Sequence, residues 1–509
     1  MIKSESYKRG VFFSTILNVL AKGIGFINTL LLSYFFGTSA STDVYFYILA
    51  VAMLITSMIN GIDYYVLIPE AMKIKEKAGE KFAQQFINFF IYIYLIIATL
   101  FLIVGFFSPI LFYTFFSKYD VALLSNNINL LYLGSIIILF QLINNLLSAV
   151  LISYKYFTAT IISGLINSIF SIIFTILFHD KLGIQGTILG VTIGYVINFI
   201  ILVFILIRYQ HWNFKLVKWL KDKRIWKNIA LMQLNILPVW VRGYFAILFL
   251  TGMGAGVLTS LNLAQMLAAL PEIFILTQIT SIVGIKFSEL AATNNYIDTD
   301  ILLQNLIKTL FIIILPIAVA MVVANKEIVQ IAFERGNFKA NSISITAFCF
   351  TFFSILLPSK IFDVLFSRLF TSFQLYGIST IFAVIAHSII TTCMYVLVKG
   401  YGLPGYFYSL LFGYYFIMPL AFVLIIKYKM KMLQINNMFI DVFKLIAIAV
   451  VVYFITVFIL PFLPSQVIVK TVCISAIIFL LFFSITLPLI DCSYQLSLVN
   501  TVVKKYFKK

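Results

Sequence analysis

Charge is scarce in this sequence: Asp, Glu, Lys and Arg make up 11% of its 509 residues, against 62% hydrophobic. A soluble chain of that length could not hide so much apolar surface in one core, so lipid is the expected solvent for most of it. Histidine occurs three times, at 179, 211 and 387 on separate segments, which leaves no histidine-based metal motif. The four cysteines, Cys349, Cys393, Cys473 and Cys492, lie in or beside apolar runs without paired spacing and read as small packing residues. No glycine loop precedes a lysine to cradle a nucleotide phosphate, which argues against an ATP-driven pump. No long polar loop carries paired carboxylates, which argues against a membrane glycosyltransferase. The sequence describes a conduit rather than an enzyme, with no cofactor expected beyond the membrane potential or a coupling ion.

What is present is a series of fourteen apolar runs between Val11 and Ile490, including 11–36, 43–68, 229–251, 257–284, 340–358 and 467–490. A helix needs about 20 apolar residues to cross the hydrocarbon, whereas barrel strands are shorter and alternate. The expected fold is an all-α polytopic membrane protein of about fourteen transmembrane helices. The first run lacks a small-residue cleavage site and reads as a retained helix. The net charge of +18 is topological: with a cytoplasmic N-terminus, most of the 36 Lys and Arg fall in inner loops and tails. This positive-inside pattern places both termini in the cytoplasm and requires no nucleic acid partner.

Weak self-similarity returns at a nearly fixed offset. Gly37 pairs with Gly254 and Phe116 with Phe333 at 217, the turn Gly183–Gly186 with Gly402–Gly405 at 219, and Asn167 with His387 at 220. The expected organisation is a six-helix lobe over 1–208, a cytoplasmic interfacial linker helix over 209–228, a second six-helix lobe over 229–427, and helices 13 and 14 with a basic tail over 428–509. Two lobes of parallel topology imply a cavity between bundles and alternating access. Helices 13 and 14 are either a lipid-facing groove or a stabilising appendage. In the linker, Trp212, Trp219 and Trp226 recur every seven residues among lysines, which suits a helix lying in the headgroup layer. The stretch from Glu70 to Lys81 reads as a solvated loop, with Asp63 and Glu70 at the interface.

Ionisable residues inside spans carry the sharper information, since each costs roughly 2.5–3.5 kcal/mol at the bilayer centre. Lys22, Arg242 and Glu272 lie midway along helices 1, 7 and 8, and Asp43 at the outer mouth of helix 2. Either Lys22 and Arg242 are a pseudo-symmetric cation pair for an anionic headgroup, with Asp43 and Glu272 as counter-ions, or these charges form permanent ion pairs between helices. Lys360, Asp363 and Arg368 cluster near the inner end of helix 10 and in the loop behind it, as an inner gate or a loop salt bridge.

Several stretches resemble the MurJ-type lipid II flippases of the MOP exporter superfamily. Lys22-Gly-Ile-Gly-Phe26, Phe36-Gly37, Thr42-Asp43 and Ile68-Pro69 are similar to that family's opening. Leu267-Ala-Ala-Leu-Pro271, Phe333-Glu-Arg-Gly-Asn-Phe338 and Arg368-Leu-Phe-Thr-Ser372 follow in the family's order. The resemblance spans roughly residues 10–430. It implies a two-lobed exporter of the bacterial inner membrane with a cationic central cavity. Where the family carries arginines in helices 1, 2 and 8, this chain has Lys22 and Asn28, then Thr56 and Ser57, then Met266. The expected cavity residues are therefore Lys22, Asn28, Asp43, Arg242 and Glu272. The expected cargo is an undecaprenyl-diphosphate glycan, lipid II or a related precursor. An O-antigen or capsule repeat unit, and a cation-coupled drug antiporter, are the alternatives. The expected partners are that lipid-linked oligosaccharide and the membrane lipids, with the protein a monomer.

Overall fold

A computed structural model describes residues 7–215 and 222–495. Among these there are helices and turns and no strand. Thirteen helices are long and apolar enough to cross a membrane, or fourteen when one bent pair counts as a single span. They fall where the fourteen apolar runs are. In chain order they are α1 (Tyr7–Phe36), α2 (Ala40–Ala78), α3 (Glu80–Phe107), α4 (Ile128–Ser153), α5 (Phe157–Leu182), α6 (Ile184–Gln210) and α7 (Lys223–Leu250). Then follow α8 (Val257–Leu276, continuing as Thr277–Ala292), α9 (Tyr296–Val323), α10 (Ala340–Ser372), α11 (Tyr376–Tyr401), α12 (Leu403–Lys429), α13 (Ile435–Ile459) and α14 (Val467–Leu489). Large side chains such as Phe107, Phe443, Phe458 and Leu480 are more than two-thirds exposed, which suits lipid rather than water.

The chain forms two compact units. The first runs to Thr259 and includes Arg335–Lys339; the second holds Ser260–Glu334 and everything from Ala340 onward. The boundary at Thr259 differs from the one expected at the linker, because α7 packs along α2. Gln233 Nε2 donates to the Met58 carbonyl at 2.8 Å and Trp240 Nε1 to the Leu54 carbonyl at 3.1 Å. Pro238 has no N–H for the Leu234 carbonyl, and α7 bends by 42° between Leu234 and Ile236.

In the first unit, α5 and α6 form a tight hairpin around Gly183, whose φ is +55°. Gly186, Gly190 and Gly194 put a small residue at every fourth position of α6, which lets two backbones approach in a medium with no hydrophobic drive between helices. A Cβ on Gly190 would stand 2.5 Å from the Phe170 carbonyl oxygen. The second unit repeats the device with Gly405, Ser409 and Gly413 on α12 against α11, after Gly402 at φ +59°. There α13 and α14 pack on α9. Lys308 of α9 pairs with Asp441 of α13 at 2.8 Å, and Lys470 of α14 pairs with Glu327 at 2.6 Å.

Among the described residues, three spans contain five-residue π-helical turns: Asp63–Leu67 in α2, Glu272–Leu276 in α8 and Gly413–Ile417 in α12. Each has a proline close by, Pro69, Pro271 and Pro419. A proline inside a span deletes one α-helical hydrogen bond, and a locally wider turn accommodates that loss. The π-turn also lets α2 continue as helix to Ala78, so the loop expected from Glu70 is helical as far as Gly79, at φ +98°. Ile68, Met72 and Ile74 extend the apolar face of α2 onto the buried cluster, which holds those turns in place.

Of the linker expected over 209–228, residues 209–210 end α6 and 223–228 open α7. Residues 211–215 form no helix and bond to Asn88 and Tyr92 of α3, and 216–221, including Trp219, lie outside the described residues. Trp212 is 4% exposed and donates from Nε1 to Asn88 Oδ1 at 2.8 Å, while Asn88 Nδ2 donates to the Asn213 carbonyl at 2.6 Å. Trp226 packs on Phe89 and Phe90. These two indoles anchor the linker in the protein rather than in headgroups.

Candidate functional site

Lys22 is the clearest charge in the first unit. It sits on α1, exposed, and makes no hydrogen bond or ion pair among the described residues. Six residues on, Asn28 is half-buried and its Oδ1 accepts from Ser171 Oγ of α5 at 2.9 Å. Tyr45 of α2 joins the same pair. Asn28 therefore ties α1, α2 and α5 together, with its acceptor already used.

Asp43 is not placed as a counter-ion. It is fully buried in the first turn of α2. Its Oδ2 accepts from Gly256 N at 2.5 Å, and its Oδ1 from Thr259 N at 2.7 Å and Thr259 Oγ1 at 2.5 Å. The first N–H groups of a helix have no partner within it. Asp43 supplies that partner for the turn Gly256–Thr259 from a different helix, as an N-cap side chain would. Ser39 caps α2 itself, accepting from Thr42 N at 3.2 Å. Lys22 and Asp43 form no ion pair among the described residues.

Arg242 is half-buried on α7, on the helix that packs against α2. Gly243, next to it, lies against Leu54, and Tyr244 Oη donates to the Phe115 carbonyl at 3.0 Å. Thr56 and Ser57 return their hydroxyls to carbonyls of their own helix, at 3.2 and 2.7 Å.

In the second unit, Glu272 opens the π-turn of α8 and is half-buried. Lys360, Asp363 and Arg368 do not lie in a loop: Lys360–Ser372 is the last helical part of α10, after a 3-10 turn at Pro358. Lys360 Nζ stands 5.1 Å over the Tyr414 ring. Asp363 is half-buried, and Arg368 is exposed beside Gly284 of α8.

Two features escaped the sequence reading. The segment Arg335–Lys339 belongs to the first unit, where Asn337 N donates to the Tyr34 carbonyl at 2.9 Å. Gly336, at φ +60°, would bring a Cβ within 2.3 Å of that same carbonyl oxygen, and Gly37, at φ +57°, faces the Asn337 carbonyl just as closely. Both positions admit only glycine. The second is Asp63, expected at the interface and found fully buried, with Tyr94 Oη donating to its Oδ1 at 2.6 Å. Among the described residues no cluster of His, Cys, Asp and Glu could hold a metal ion.

The family model for the lipid II flippase MurJ matches residues 32–482. A solved structure of the lipid II flippase MurJ in an inward closed conformation matches with a TM-score of 0.74 at 18% identity, covering 93% of this chain and 98% of that one. An inward-facing multidrug resistance MATE family transporter of the MOP superfamily matches with a TM-score of 0.62 at 15% identity, covering 80% and 93%. MATE in the bent conformation gives 0.51 at 16% identity, covering 81% and 92%. A search of curated protein sequences returned no match. At these identities the structural likenesses speak for the fold alone.

Proposed function

The chain belongs to the lipid II flippase MurJ family, and on that premise we propose that Lys22 receives the diphosphate of the lipid-linked cargo during export. A family flippase is a multi-pass transporter of the inner membrane that turns lipid II over by alternating access. The observation that carries the role of Lys22 is its state: an exposed ammonium, without an acidic partner among the described residues, on a membrane-crossing helix. Such a charge is costly unless water or an anionic ligand meets it. A lysine offers a phosphate three donors and a compact charge. Arg242, on α7 of the same unit, is the second cation in this reading.

The neutral Thr56, Ser57 and Met266 leave fewer cations for the headgroup than the family pattern implies. That favours cargo held by few phosphate bonds, either lipid II or a close undecaprenyl-diphosphate relative. With the basic loops inside, both termini are cytoplasmic and the inside-negative potential drives an anion outward, at about 2.3 kcal/mol per charge per 100 mV.

The test is flipping of labelled lipid II in proteoliposomes by wild type, Lys22→Gln and Lys22→Arg. At least a tenfold loss for Lys22→Gln with substantial rescue in Lys22→Arg is expected. A Lys22→Gln protein that folds and flips at the wild-type rate would sink the assignment.

A further inference from the structure

Asp63 is the one acidic side chain of the described spans whose carboxylate is fully buried with one oxygen unpartnered: Oδ1 accepts from Tyr94 Oη, and Oδ2 has no hydrogen-bond partner among the described residues. It opens the π-turn of α2, and Val66, Leu67, Phe90 and Tyr94 around that turn are themselves buried. The ionisable groups near it are Tyr94 from α3 and Tyr64 on its own turn. Of the other elements packed on the turn, α7 brings Ile225 and Met232 to this cluster, its Arg224 engages Glu70, and its Lys227 is exposed. The end of α2 holds Glu70, which also meets Lys73, and Lys75, which pairs with Glu80. The described ionisable residue of α4 is Tyr132, near the opposite end of that helix. No cation pairs with Asp63 among the described residues.

An ionised carboxylate in that setting keeps an oxygen desolvated and unmatched, which the neutral acid avoids. A metal ion would want a shell of about six or more oxygens, and the carboxyl and one phenol hydroxyl do not provide it. We propose that Asp63 is a proton-binding site: it carries its proton in the conformation described here and releases it when the π-turn of α2 opens to water during transport. The O–H bond of the acid breaks, the proton passes to water, and the carboxylate left behind is met by water together with the Tyr94 hydroxyl.

The fold supplies both requirements for such a cycle. A π-turn holds one residue more than an α-turn and is a natural place for a helix to rearrange. Tyr64 and Tyr65, adjoining Asp63, are 50% and 69% exposed, so the turn lies next to the outer face of its unit. Twenty residues separate Asp63 from Asp43 at the other end of the span, about 30 Å of helix and about the thickness of the hydrocarbon. The inference does not depend on which lipid is carried or on Lys22.

Infrared difference spectra of the full-length protein in nanodiscs at neutral pH test it directly. A protonated-carboxyl stretch present in wild type, absent in Asp63→Asn and shifted in Tyr94→Phe is expected. Flipping in proteoliposomes without a membrane potential should change with internal pH by up to about tenfold per unit in wild type and be flat in Asp63→Asn. No such band in wild type, a band unchanged by Asp63→Asn, or equal pH profiles in the two proteins would overturn the proposal. Lys22→Gln should keep the band whatever its flipping rate, so the two assignments fail separately.

Discussion

Replacing Asp43 by alanine removes three hydrogen bonds at once, from Gly256 N, Thr259 N and Thr259 Oγ1, at a site with no exposed surface. Two buried backbone N–H groups would then lack an acceptor, at about 1–3 kcal/mol each. The hydroxyl can turn elsewhere, and loss of the buried carboxylate relieves part of its own desolvation. The net destabilisation should be on the order of 3 kcal/mol, with Asp43→Asn, which keeps one acceptor oxygen, recovering roughly half. Unfolding in mixed micelles reads this directly. A double-mutant cycle with Lys22→Ala separates the capping role from an ion pair, because residues without a shared interaction add to within about 0.5 kcal/mol. The reasoning is refuted by an Asp43→Ala protein as stable as wild type, or by a Lys22–Asp43 coupling above about 1 kcal/mol.

Gly336→Ala should cost at least about 2 kcal/mol, from its positive φ and the Tyr34 carbonyl where the methyl would go, and limited proteolysis around Arg335 would detect it. Trp212→Phe should cost about 1–3 kcal/mol by stranding Asn88 Oδ1, seen as faster amide exchange over 211–215. Collapsing the membrane potential in energised vesicles should slow export measurably, whereas an unchanged rate would point to another energy source.

The spans were legible because their apolar runs are long and carry few charges, so all fourteen could be placed to within a few residues at most ends. What misled was treating a charge as a helix end. Asp63 and Glu70 looked like the inner border of helix 2, yet the apolar positions Val66, Leu67, Ile68 and Met72 carry the same face onward past them. Lys360 likewise looked like the start of a loop, although Ile361, Phe362, Leu365, Phe366 and Leu369 are buried on one face of a continuing helix. The tryptophan spacing in the linker was real, but its meaning depended on Asn88, which lies 124 positions away and which no local pattern could connect to it. Of the candidate cavity residues, Lys22 makes no ion pair among the described residues, where the sequence left a ligand-binding cation and a permanent ion pair both open. Asn28 and Asp43 are bound to helices that only the tertiary structure brings near them.

The π-turns also bear on how this chain tolerates changes in length. Deleting a residue inside an ordinary span turns everything beyond it by about 100°, exchanging lipid-facing and protein-facing side chains. A deletion within Tyr64–Leu67 instead lets the wide turn relax to a regular one, leaving both ends of α2 facing as before. The same holds in α8 and α12, so each of these three spans carries a spare link at which one residue can be lost without refacing the rest of the helix.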